Sequence, residues 1–427
     1  MAMDGQSEAI IDLAAIRSNV ARMADYVRPA QVMAVVKSDG YGHGALETAT
    51  AAVSGGATWL GVGHVAEALD LRAAGITIPI LCLMAAPDAP HRDAIAHGVD
   101  LSAGTSGLVR QIAAAADAAG RPARLHLKAD TGMSRGGAPI AQWPAVLDAA
   151  LAEQAAGRCE ITGIWSHLAC ADIPGHESVD AQIAVFHEAL ALAERSGARP
   201  LVRHLANTPA LLTRPDTWFD LVRPGGGVAG LCTSPGGPPG WLRPAMTVRT
   251  HVVQVKRVAR GTGVSYGHRY ITDRETTLAL IPLGYNEGIP RAGTNTAPLQ
   301  VAGHRLTISG TVCMNQCMVD AGDLAVDEGD EVVLFGPGDH GEPTAQEWAD
   351  LLGTLSYDIV TRFTAKIPRS YCGVTEAELS GAGLAEAVLA GAGPAGAGLP
   401  ASSAGAAPAE SLGERAEAAP VGGGQEV

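Results

Sequence analysis

The chain predicts an α/β fold: a (β/α)8 barrel of TIM type, followed by a mostly β C-terminal domain. Three observations carry this. Short apolar runs alternate with amphipathic Ala/Leu-rich stretches over the first 240 or so residues, the pattern of βαβ units and a parallel sheet. Eight such runs can be counted, the strand number of a closed barrel. Polar residues cluster at the C-terminal ends of different runs: Lys37, Lys128, His167, His204 and Arg223. A barrel gathers those ends at one mouth, where active sites sit. An open doubly wound sheet is the alternative, and it would leave some of them far apart.

The expected strands are Val32–Lys37, Trp59–Gly63, Ile78–Met84, Val99–Ser102, Ala123–Lys128, Ile161–His167, Leu201–Leu205 and Phe219–Arg223. His64–Ala74 and Asp180–Ser196 read as helices between them. Past Pro239 the pattern changes. Thr247–Val258, Thr276–Pro282, Gln300–Val301, Leu306–Thr311, Cys317–Val319 and Glu331–Phe335 read as strands separated by Gly, Pro and Asp turns, with one helix around Thr344–Gly353. The expected division is a barrel over residues 8–240 and a β domain over 241–374, which the N-terminal residues could join. From about Thr375 the chain is rich in Ala, Gly, Pro and Glu, and disorder is expected there, as it is for Met1–Ser7.

With 427 residues the chain can bury a sizeable core, built from Ala, Val, Leu and Ile because aromatics are few. A net charge of -14 argues against a nucleic-acid partner. No uninterrupted apolar run reaches the roughly 18 residues of a membrane span, and no basic-then-apolar leader opens the sequence. Seven cysteines, an odd number without secreted-scaffold spacing, fit reduced thiols in a cytoplasmic protein. Cys313 and Cys317 lack two further ligands at metal spacing, so no metal is expected.

The most informative segment is Ala34-Val35-Val36-Lys37, an apolar run ending on lysine, followed by Ser38-Asp39-Gly40-Tyr41-Gly42-His43-Gly44. A lysine at the mouth of a buried strand is poorly solvated. Its pKa falls from roughly 10.4, and more of it is free amine able to form a Schiff base. The ordinary reading is a strand-end lysine snorkelling to water. The glycines favour a ligand instead, because they let the backbone approach one closely. The segment resembles the pyridoxal-phosphate attachment site of the alanine racemase family. That resemblance makes Lys37 the Schiff-base lysine and brings Tyr41 to the cofactor phosphate.

Further segments resemble the same family in the same order, from about Ile10 to Tyr371. His204-Leu205-Ala206-Asn207-Thr208 and Arg223-Pro224-Gly225-Gly226-Gly227 resemble its phosphate-holding segments. They imply phosphate contacts from Asn207, Thr208, Gly225 and Gly226, and place Arg223 against the pyridine nitrogen. An arginine cannot give that nitrogen a proton, so the ring stays a weak electron sink. Lys128-Ala129-Asp130-Thr131-Gly132-Met133-Ser134-Arg135 resembles a signature in which Arg135 binds the substrate carboxylate and the lysine carries a carbamate. A plain Lys/Asp salt-bridge cluster is the other reading. In Gly163-Ile164-Trp165-Ser166-His167 the resemblance puts His167 between Arg223 and a tyrosine from elsewhere. That tyrosine is Tyr266, in Gly263-Val264-Ser265-Tyr266-Gly267, which the family presents across a dimer interface. Cys313-Met314-Asn315-Gln316 implies that the Met314 N–H binds the substrate carboxylate, with Asn315 where aspartate is usual. Ala229 stands where the family often has tyrosine. Tyr285 and Tyr357 are implied at the substrate entrance, Tyr357 also beside the cofactor.

The resemblance therefore implies a pyridoxal 5'-phosphate-dependent, two-base racemase of a small amino acid. Lys37 and Tyr266 are its bases, the active sites are shared in a homodimer, and the product is D-alanine for the bacterial cell wall. Serine or a broader set of small amino acids remains open as substrate. A non-catalytic pyridoxal-phosphate homeostasis protein would lack the second β domain. A fold-related decarboxylase would carry a cysteine signature not seen here.

Overall fold

The computed structural model describes residues 7–234, 236–363 and 366–374. The residues expected to be disordered, 375–427 and most of 1–7, lie outside these. Eight parallel strands form the first body. They are β2 (Gln31–Val35), β3 (Trp59–Val62), β4 (Ile80–Cys82), β5 (Val99–Ala103), β6 (Ala123–Asp130), β7 (Cys159–Trp165), β8 (Val202–His204) and β9 (Leu221–Val222). β9 pairs back onto β2, with Leu221 opposite Gln31, so the sheet curls into a nearly closed barrel. The expected strands are all present, several of them shorter than the apolar runs. Ile78–Met84 keeps only three residues as strand, because Pro79 precedes them and an irregular segment follows.

The barrel interior is filled by Met33, Val35, Trp59, Leu81, Val202 and Leu221, a cluster separate from the main core. Helices coat the outside, among them α1 (Leu13–Tyr26) and two that match the expected positions closely, Val65–Ala73 and Ser178–Arg195. Asp12 opens α1 by accepting from the Ala15 N–H at 3.0 Å, which satisfies one orphan donor of the first turn.

The second body is mostly β. Its larger sheet runs in the order His304–Thr307, Pro298–Val301, Glu331–Phe335, Met246–His251, β1 (Ser7–Asp12), Arg369–Cys372. The first and last described strands thus lie side by side, parallel, with Ala9 opposite Arg369. The run expected as one strand, Thr247–Val258, is two. Met246–His251 belongs to this sheet, while Gln254–Val258 pairs with Thr276–Ile281 in a second. The expected helix is Ala345–Leu352, opened by a reciprocal Thr344/Glu347 cap. A second short helix, Ser356–Arg362, follows it. Phe335 packs edge-on against Trp348 and Phe363, tying sheet and helices into one core.

Candidate active site

Lys37 follows β2 directly, and the backbone after it is unusual. Ser38, Asp39, Gly40, Tyr41 and Gly42 all have positive φ, from 54° to 84°. A left-handed conformation costs a non-glycine residue roughly 1–2 kcal/mol, so Ser38, Asp39 and Tyr41 together cost about 3–6 kcal/mol. Long-range bonds offset this. Glu67 accepts from the Ser38 N–H at 2.7 Å and from the Gly63 N–H at 2.7 Å. Asp39 accepts from the Ala45 N–H at 2.9 Å and pairs with Arg369, which also donates to the Gly42 carbonyl at 3.1 Å. Buried His43 lies 2.9 Å from the Tyr41 carbonyl and 3.1 Å from that of Gly40, which fixes its Nδ1 as donor. The turn holds Lys37 and Tyr41 at the mouth.

Lys37 carries a lowered pKa, first from burial and then from the Arg135 charge, with Arg223 adding to it. Lys128, at the end of β6, is lowered to about 8 by burial and by Arg135 and Arg223. It makes no ion pair with Asp130 among the described residues. Asp130 instead caps its own loop, accepting from the Gly132 and Ser134 N–H groups. The Lys128 ammonium lies 4.5 Å above the Trp165 ring. Arg135 is exposed and has no hydrogen bond or ion pair among the described residues.

Arg223 is 4% exposed. Its guanidinium donates to the Ser166 carbonyl at 2.7 Å and the Leu205 carbonyl at 3.0 Å, and reaches His167 Nδ1 and His204 Nδ1 at 3.2 Å each. Burial pulls it down to about 9, which leaves it charged at neutral pH. His167 is held neutral: burial lowers its pKa well below the ordinary range, and Arg223, Arg135, Lys128 and Lys37 all add to that. Its carbonyl accepts from Gln182, which also donates to Thr131, and Thr131 meets Ser166 at 2.8 Å. Sequence reading missed this seat, whose only signal is a buried glutamine on the inner face of a helix.

Beside the lysine, Thr208 Oγ1 accepts from the Gly225 N–H at 3.1 Å and the Gly227 N–H at 3.2 Å. A Cβ on Gly225 would overlap the Tyr41 hydroxyl, and one on Gly226 the Tyr357 ring. Only glycine fits at either position. Tyr41 and Tyr357 meet edge to face at 5.5 Å, and burial raises the pKa of both phenols, keeping them protonated. The Asn207 side chain accepts from the Ala210 N–H at 3.2 Å, so it caps the following helix. Ala229 is buried in the turn after the glycines, which packs against α1.

The mouth therefore gathers Lys37, Lys128, Arg135 and Arg223 around a neutral histidine, a hydroxyl cradle and a glycine backbone. It carries surplus positive charge and donors: Glu67 and Asp130, the carboxylates whose fields reach Lys37 and Lys128, spend their oxygens on backbone N–H groups. A phosphate and a carboxylate supply what is lacking. The donor set fits pyridoxal phosphate.

Tyr266, Met314 and Tyr285 do not join this cluster. All three are exposed on the β domain, Tyr266 by 73%. Tyr266 is pinned through its backbone: Thr311 donates to its carbonyl at 2.7 Å, and Ser265, at φ 61°, donates to the Thr311 carbonyl at 2.6 Å. Asn315 donates to Glu287 at 2.6 Å, and buried Glu287 accepts from the Gly284 N–H at 2.9 Å. The Met314 carbonyl accepts from the Asn286 N–H at 2.8 Å. Three loops, at 265–268, 284–287 and 311–315, are stitched together and offer Tyr266 and Met314 outward.

Family models for the alanine racemase N-terminal domain and C-terminal domain match residues 11–233 and 245–371. The chain is 55% identical over 371 residues to the alanine racemase of Thermobifida fusca, covering 87% of this chain and 99% of that protein. The crystal structure of alanine racemase from D-cycloserine-producing Streptomyces lavendulae superposes with a TM-score of 0.86 at 48% identity, covering 87% of this chain and 98% of that one. The Bartonella henselae alanine racemase with covalently bound pyridoxal phosphate gives 0.78 at 28% identity, covering 86% and 100%.

Proposed function

The chain belongs to the alanine racemase family of pyridoxal-phosphate-dependent isomerases, and from that premise we propose which of its residues interconvert L- and D-alanine, and how. The observation that carries the reading is the mouth cluster: a desolvated lysine ringed by cations beside a glycine and hydroxyl cradle.

Lys37 is the attachment lysine. Tyr41, Thr208, Gly225, Gly226 and Tyr357 would hold the phosphate, Asn207 would shape that loop from its capping position, and Arg223 would face the pyridine nitrogen. Bound there, pyridoxal phosphate supplies an electron sink that acidifies the amino acid's α-carbon. Arg135 takes the substrate carboxylate. Lys128, with a free-amine fraction near neutral pH, accepts CO2 as a carbamate whose charge orients Arg135.

Racemisation needs a proton removed on one face and returned on the other. Lys37 Nζ serves the D-alanine face. In the same chain's mouth burial keeps the Tyr41 and Tyr357 phenols protonated and His167 is taken up by Arg223, whereas Tyr266 stands exposed on the β domain. We assign Tyr266 of the partner subunit to the L-alanine face, with the Met314 N–H of that subunit on the carboxylate and Tyr285 at the entrance. His167, neutral and bound to Arg223, orients that phenol. The active unit is then a homodimer with two shared sites. No helix among the described residues is long and apolar enough to cross a membrane. Seven unpaired cysteines support a reducing, cytoplasmic setting, where D-alanine is supplied for peptidoglycan.

The test is solvent-deuterium exchange at the α-carbon, together with borohydride reduction. Borohydride should fix the cofactor on Lys37. Tyr266→Phe should depress exchange from L-alanine far more than from D-alanine. Equal depression, or an adduct on another residue, would refute the assignment.

A further inference from the structure

Arg223 does not end at the mouth. Behind it a line of buried polar groups runs through the barrel interior. Arg223 Nη1 meets His204 Nδ1 at 3.2 Å. His204 Nε2 meets His126 Nδ1 at 2.8 Å. His126 Nε2 meets Asp100 Oδ2 at 3.1 Å. Asp100 Oδ1 accepts from Arg124 Nε at 2.9 Å. The two histidines are fully buried and Asp100 nearly so. Trp165 stacks on His204 at 5.6 Å, almost parallel, and Trp59 meets His126 edge-on.

The architecture is built for this line. At His126 the register between β6 and β7 jumps: Leu125 pairs with Ile161, and His126 with Gly163. Thr162 is the extra residue of a bulge, a device that re-aims a side chain. A Cβ on Gly163 would overlap the His126 ring.

The direction of every bond is forced. A guanidinium only donates, so His204 Nδ1 accepts and its proton sits on Nε2. His126 Nδ1 then accepts, and its Nε2–H donates to the carboxylate. A cation at one end and an anion at the other leave one tautomer for each ring.

We propose that Asp100, His126 and His204 are positioning residues for Arg223, a fixed-polarity relay that holds the guanidinium in place through the barrel core. The relay itself stands on geometry, and its consequence for catalysis rests on the role given above to Arg223. Asp100→Asn tests it. The amide oxygen must keep facing Arg124, so the NH2 turns to His126. Both rings then invert, and His204 presents an N–H to the Arg223 N–H. Adding Arg124→Met frees the amide to turn its oxygen back to His126 and restores the original order.

The experiment reads ring protonation directly, by neutron diffraction or by spectra of [15N]histidine-labelled holoenzyme, alongside kcat, KM and the cofactor's absorption maximum. The native holoenzyme should carry both protons on Nε2, which needs no variant to check. Asp100→Asn should move both to Nδ1, shift the absorption maximum and lower kcat roughly tenfold, the worth of about one hydrogen bond, with little change in KM. The double variant should recover the tautomers and most of kcat. Nδ1–H on either ring of the native protein overturns the proposal, as does an Asp100→Asn protein that keeps Nε2–H or a double variant no better than the single one. Failure of the racemase reading would show elsewhere, as a native protein with no borohydride adduct on Lys37.

Discussion

Asn315→Asp tests how the β domain presents the Met314 backbone. The amide nitrogen lies 2.6 Å from Glu287 Oε1 and donates to it. Replacing it with carboxylate oxygen sets two like charges at that separation. At an effective dielectric of about 20 the repulsion is about 6 kcal/mol, and about 1.6 kcal/mol in bulk water. Glu287 is buried and committed to the Gly284 N–H, whereas residue 315 is exposed. The new carboxylate therefore swings into solvent, and the cost is capped at the lost charge-assisted bond, about 1.5–3 kcal/mol. That bond joins the loop at 284–287 to the loop carrying Met314. If all of it fell on substrate binding, KM for alanine would rise by about tenfold to a hundredfold, which is an upper bound. The proposed bases, Lys37 and Tyr266, are untouched, so kcat should hold. Steady-state kinetics in both directions and a thermal melt check this. Unchanged KM, unchanged inhibitor affinity and an unchanged melt together would sink the argument.

Gly226→Ala should abolish tight cofactor binding, because the added methyl enters the Tyr357 ring, and a colourless purified protein would show it. The carbamate proposed for Lys128 would form only on the neutral amine. With its pKa lowered to about 8, its occupancy should rise as pH climbs through that value and fall below it, and intact mass in bicarbonate reads this out. A chain ended after Gly373 should keep full activity, since the relative from Thermobifida fusca is matched over nearly its whole length within 371 residues. A loss would show that the Ala/Gly/Pro-rich segment contributes.

Most of the barrel was legible because its strands are apolar runs, five of them with a polar residue at or near the end: Lys37, Lys128, His167 and Arg223 meet at the mouth, and His204 lies behind them against Arg223. What escaped lies where local pattern and tertiary demand disagree. Thr247–Val258 reads as one strand, yet its two halves are committed to different sheets. Ser356–Arg362 is too short to show a period. The turn after Lys37 reads as glycine-rich, but nothing local announces positive φ at Ser38, Asp39 and Tyr41, because the groups that stabilise it, Glu67 and Arg369, come from far along the chain. His204 reads as a strand end heading a segment that resembles a phosphate-holding one, and neither pattern says that its ring turns inward. Asp100 and His126, mid-strand and inward-facing, were overlooked. A polar residue in the middle of a buried strand was the available signal.

The Arg369–Asp39 pair spans 330 positions, joining the last described strand to the segment that presents Lys37. Glu67, the Ala45 N–H and His43 brace the costly turn from within the barrel, and Arg369 adds a brace that only the last described strand supplies. A disturbance of that last described strand is thereby felt at the reactive end of the barrel, through a contact between residues far apart in the chain.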